Sequence, residues 1–110
     1  MEKIFNKLVR DKIPEIIENN NEVAVTKILD NKEFIKELKT KLLEEYNEVI
    51  NANKENILEE LADMLEVIDA IAQTENKTLE DIIKIKELKK EKRGAFKKRI
   101  LLIKTYDKTN

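Results

Sequence analysis

Two apolar stripes at helical spacing, with an asparagine-rich break between them, constrain this chain more than any other feature. From about Lys32 to Ile50, the residues Phe34, Ile35, Leu38, Leu42, Tyr46 and Val49 recur roughly one helical turn apart. From about Lys54 to Gln73, Ile57, Leu58, Leu61, Leu65, Ile68 and Ala72 do the same. Met64, Val67 and Ile71 widen the second stripe, which marks its helix as the more central. The tract Asn51-Ala52-Asn53 reads as a tight connection, so the two helices are expected to pack antiparallel.

Around this hairpin the signals are shorter. MEKIFNKLVRDK, residues 1–12, is an irregular basic and apolar lead-in. Pro14 suits the first turn of a short helix running to about Glu18, stopped by Asn19-Asn20-Asn21. Residues 22–29, EVAVTKIL, alternate and are β-branched, which predicts a short strand. Asp30 or Asn31 is placed to cap the first long helix. Thr78, with Asp81 three residues on, predicts a cap for a fourth helix that ends before Gly94. The tail AFKKRILLIKTYD suits a strand or a further helix, its β-branched and aromatic content favouring a strand over about 96–105. The expected fold is therefore mainly α, a compact helical bundle in one domain over residues 1–110, with room for a minor pair of short strands.

Composition narrows the chemistry. The chain of 110 residues has no Cys, His, Ser or Trp and a single glycine, Gly94. Disulfides, Cys or His zinc sites, serine and cysteine nucleophiles, imidazole catalysis and Gly-rich phosphate loops are all excluded. Carboxylates, Lys, Arg, Tyr, Thr, amides and a hard cation such as Mg²⁺ remain. Lys plus Arg number 22 against 23 Asp plus Glu, so there is no basic excess for nucleic acid. No apolar run matches a membrane span and the start lacks a signal-peptide core, so a cytoplasmic protein without membrane or nucleic-acid partners is expected.

Acids mark the inner faces of both long helices. Glu45 and Glu48 lie three residues apart, as do Glu60 and Asp63, so each pair shares a helix face. At 100° per residue Glu45 falls only about 50° from the centre of its apolar stripe, and Glu60 intrudes on the broad face of its own helix. Glu44 and Glu59 point towards solvent. Acids on an apolar flank are costly unless compensated, and four converging carboxylates raise one another's pKa values. A divalent cation removes both penalties. The competing reading is that in a chain with 41% charged residues such pairs are ordinary solvated acids matched to Lys.

LLEEYNEVI followed by ILEELADMLEVIDAI resembles the EExxE and ExxD motifs of MazG-like nucleoside triphosphate pyrophosphohydrolases. KLVRDKIPEII is similar to the opening of a house-cleaning subgroup of that superfamily, and KKEKRGAFKKRI, residues 89–100, to its Lys/Arg-Gly-x-Phe stretch. Together these cover most of the chain in the expected order. The resemblance implies an all-α fold completed by oligomerisation, as a dimer or tetramer with carboxylates near subunit contacts. It implies Mg²⁺-dependent (or Mn²⁺-dependent) cleavage of a nucleotide substrate between the α- and β-phosphates. Carried onto matching positions, Glu45, Glu48, Glu60 and Asp63 would be the metal ligands. The stretch between the two acidic motifs is short here, which leaves Glu44 or Glu59 open to share that role.

Glu45, on its apolar flank, is the choice for a water-orienting base. Arg10 and Lys12 are candidates for the triphosphate, set against pairing with Asp11, Glu15 or a neighbouring helix. Lys92 and Arg93 are a second candidate phosphate patch, set against a solvated basic helix end. Tyr46 reads as core, and Asp69 either caps a subunit contact or joins the site. Two alternatives stand beside the leading reading: a phosphoribosyl-ATP pyrophosphohydrolase, and a helical interaction module without catalysis.

Overall fold

In the computed structural model, residues 1–109 are described and form four helices: α1 (Ile13–Asn19), α2 (Asn31–Ile50), α3 (Ile57–Thr74) and α4 (Leu79–Arg93). The chain is mainly α, with no strand among the described residues. No helix among them is long and apolar enough to cross a membrane. The described chain divides into two compact units, Met1–Leu79 and Glu80–Asn110, each taken by itself.

The first unit is built on the α2–α3 hairpin. Asp30 caps α2 in a reciprocal box: its Oδ1 accepts from the Glu33 N–H at 2.8 Å, and its own N–H donates to Glu33 Oε1 at 3.5 Å. Among the described residues only Leu38, Val67 and Ala72 are buried as hydrophobic core, Leu38 at 3% exposure. The start of α2 lies beside the end of α3, where Asn31, Phe34 and Ile35 face Ala70, Gln73 and Thr74 across a shallow groove.

The connection is longer than the asparagine tract suggests, because α3 begins at Ile57 and not at Lys54. Asn53 Oδ1 accepts from the N–H groups of Glu55 and Asn56, both at 3.1 Å, and Asn56 Oδ1 accepts from the Asn53 N–H at 2.9 Å. These side-chain bonds hold residues 54–56 in a turn that competes with helix.

With one glycine available, asparagine stops two helices. Asn21 (φ 62°) ends α1 and Asn76 (φ 58°) ends α3, both in the left-handed region that asparagine tolerates. After α3, the Asn76 N–H donates to Gln73 O and the Lys77 N–H to Ala72 O, each at 3.0 Å, the paired pattern that closes a helix end. Half-buried Asp69 accepts the Leu79 N–H at 3.1 Å, a bond within the first unit.

In the second unit α4 is acidic at its start (Glu80, Asp81) and basic at its end (Lys90, Lys92, Arg93), matching the helix dipole. It ends at Gly94, which takes φ 83° and donates to Lys90 O at 2.7 Å. The strands expected at residues 22–29 and 96–105 are absent. A strand needs a ladder partner and a covered face. Here Val23, Val25 and Ile28 are exposed, and so are Phe96 and the run Ile100 to Ile103.

Candidate metal centre

Glu45 of α2 and Glu60 and Asp63 of α3 converge where the two helices run side by side. Each offers a carboxylate oxygen, and the three oxygens lie within 4.8 Å of one another. Glu60 and Asp63 reach the point together because a three-residue spacing keeps them on one helix face. Glu45 is the sole buried polar residue among those described, at 9% exposure.

The cluster is strained electrostatically. Burial pushes the Glu45 carboxyl above its ordinary value, and the negative charges of Asp63, Glu44 and Glu60 push the same way, while Lys41 opposes them. Glu60 is raised as well, first by loss of solvent and then by Glu48, Asp63 and Glu59. Cations partly offset this crowding. Lys41, one turn before Glu45, lies 3.5 Å from Glu44 and 3.7 Å from Glu45. Lys7 pairs with Glu44 at 3.2 Å, and Arg10 with Asp63 at 2.8 Å.

The donor set suits a hard cation. Mg²⁺ takes six oxygens at about 2.0–2.1 Å, which places adjacent ligand oxygens about 3 Å apart and opposite ones about 4.2 Å apart. Three carboxylate oxygens within 4.8 Å approach that arrangement, and three ligands leave positions for water and phosphate oxygens.

The expected site residues fall into three groups. Glu45, Glu60 and Asp63 come together. Glu48 is exposed and outside the trio, yet near enough to Glu60 to raise its pKa. Arg10 reaches the trio through Asp63, whereas Lys12 sits at the N-cap of α1 and makes no ion pair among the described residues. Lys92 and Arg93 are exposed in the last turn of α4, in the second unit. Glu44, expected to face solvent, is half-buried under Lys7 and Lys41. Tyr46 is exposed and not core, because it turns past the contact with α3. Asp69 is no member of the trio; its carboxylate is taken up by the Leu79 amide.

Sequence reasoning missed Lys41 and Lys7. Lys41 had a visible signal, standing four residues before Glu45. Lys7 had none, since its partner is 37 residues away. No family model, curated protein or solved structure matches the chain.

Proposed function

We propose that this protein is a Mg²⁺-dependent nucleoside triphosphate pyrophosphohydrolase, releasing a nucleoside monophosphate and pyrophosphate. One observation carries the reading: three carboxylates from two helices converge within 4.8 Å, one of them buried, with nothing but ion pairs to lysine and arginine to balance them. An acid is not buried beside other acids without compensation, and a divalent cation supplies it. The KLVRDKIP lead-in and the two acidic motifs favour nucleotide chemistry over other uses of such a site, and non-standard or excess triphosphates over phosphoribosyl-ATP.

In this reading Glu45, Glu60 and Asp63 hold the cation, with Glu48 at the rim where it can reach a water bound there. When bound, Mg²⁺ supplies neutralisation of the charge that develops on the pyrophosphate leaving group. Glu45 orients a water towards the α-phosphorus and takes its proton. The new bond joins that water oxygen to the α-phosphorus, and the bond that breaks joins the α-phosphorus to the oxygen bridging it to the β-phosphorus. Arg10 and Lys12 receive phosphate oxygens; Lys92 and Arg93, in the second unit, are a separate candidate phosphate patch. The exposed apolar residues of α2 and α3 are covered by further copies of the chain, so the working form is a homo-oligomer.

The test is pyrophosphate release from a panel of standard and modified triphosphates, with Mg²⁺ and with EDTA. We expect chelator-sensitive release that disappears in Glu60→Gln while helical circular dichroism is retained. Full activity in that variant, or release indifferent to EDTA, sinks the assignment. Release from phosphoribosyl-ATP alone would move the protein to that activity. Exposed apolar stripes also suit a non-catalytic interaction module, which predicts no release from any triphosphate.

A further inference from the structure

One basic side chain reaches the acidic trio from outside the hairpin. Arg10 lies in the lead-in, which has no regular structure over residues 1–10 and leaves all of them exposed except half-buried Leu8. Its Nη2 donates to Asp63 Oδ1 at 2.8 Å across 53 residues of sequence, with the two side chains 57% and 48% exposed. Lys7, three residues earlier, is tied separately to Glu44 at 3.2 Å, and Glu44 is not a member of the trio.

We propose that Arg10 is an exchangeable counter-ion of the carboxylate site. It holds Asp63 while no cation is bound, and turns to the phosphate oxygens of the nucleotide once a divalent cation takes that carboxylate. The inference rests on reading Glu45, Glu60 and Asp63 as a cation site.

Three physical points support the exchange. A dication about 2 Å from an Asp63 oxygen lies within roughly 5 Å of a guanidinium bonded to the same carboxylate, and the two positive charges repel. Half-exposed pairs of this kind are weak and screened by salt, so the pair yields readily. A triphosphate then offers acceptor oxygens that a guanidinium fork engages two at a time, which a single aspartate oxygen does not. The lead-in carries no helix or strand bonds to break when Arg10 turns away from Asp63.

The experiment is a calorimetric titration of the full chain with Mn²⁺ alone, at low ionic strength and without nucleotide, followed by KM for pyrophosphate release. Arg10→Ala is expected to bind Mn²⁺ up to about fivefold more tightly, the most that one exposed ion pair is worth. The same variant is expected to raise KM by roughly tenfold through loss of a charged phosphate contact. Lys3→Ala, which removes a charge from the same lead-in, controls for net charge and leaves Mn²⁺ affinity at the wild-type value. Arg10→Lys recovers part of the KM. Unchanged or weaker Mn²⁺ binding in Arg10→Ala overturns the exchange and makes Arg10 a fixed support of Asp63 or an idle surface pair. Tightening in Lys3→Ala equal to that in Arg10→Ala overturns it too. If wild-type chain binds no Mn²⁺, or Glu60→Gln binds it equally well, the cation site itself is wrong and the exchange falls with it.

Discussion

Glu45 occupies a place where an apolar side chain would pack at no electrostatic cost, and its carboxyl is raised by burial and by neighbouring acids. A raised carboxyl binds its proton more readily in the folded chain than in the unfolded one. Stability from such a group is therefore greatest while it is protonated and falls as pH rises through the folded pKa. Glu60 acts in the same direction. In EDTA, the double variant Glu45→Gln, Glu60→Gln should accordingly melt at a higher Tm than wild type at neutral pH. That advantage should shrink as pH is lowered into the ordinary glutamate range. Thermal melts across pH check this, and a double variant less stable at neutral pH would refute the crowding. At this scale Glu45 and Glu60 are legible because each intrudes on an apolar face, and Asp63 because it stands three residues from Glu60 on the same side. Glu48, expected as a fourth member, lies outside the trio: it and Glu45 are about 60° apart around the helix, and periodicity does not say which one turns towards α3. Arg10–Asp63 and Lys7–Glu44 were beyond reach, since no local pattern links residues so far apart.

The long helices were read within a few residues of their ends, because a stripe at one-turn spacing and a capping acid are local signals. Asp30, one of the two caps expected, closes the box with Glu33. Its replacement by Ala should cost about 1 kcal/mol in urea unfolding, and an unchanged midpoint would show that the box contributes nothing. The asparagine stops respond in the opposite sense. Asn76 already sits at φ 58°, so Asn76→Gly relieves left-handed strain and should stabilise by up to about 1 kcal/mol. The errors have physical reasons of the same kind. Asn53 and Asn56 bond the backbone of residues 53–56 and delay α3, a competition that apolar spacing does not register. EVAVTKIL and the tail carry strand composition, but a strand exists only with a neighbour, and composition names no neighbour.

For the whole molecule the first unit poses a problem that its own contacts do not solve. Leu43, Tyr46 and Ile50 form a second stripe on α2, and Leu58, Leu61 and Leu65 one on α3; all six are exposed, Leu58 at 77%. Both stripes follow the i, i+3, i+7 spacing of a helix face made for packing. Burying such side chains is worth about 1.5–3 kcal/mol each, while among the described residues the hydrophobic core holds only Leu38, Val67 and Ala72. A second copy presenting the same stripes is self-complementary about a two-fold axis, the commonest way for a soluble chain to cover such a face. By helix phase these stripes lie more than about 130° around from Glu45 on α2 and from Glu60 and Asp63 on α3, so pairing through them leaves the carboxylate face uncovered. Light scattering should find two or more copies per particle, with a Tm that rises with protein concentration. Leu61→Glu with Leu65→Glu places charge in the middle of the α3 stripe. It should yield monomers with lower Tm and Mn²⁺ binding at the wild-type level, since neither leucine shares a face with the carboxylates. A wild-type monomer at about 100 μM would show that the stripes are not joined, since an interface of this kind should be saturated at that concentration. A double variant that stays oligomeric would show that the copies join through another face.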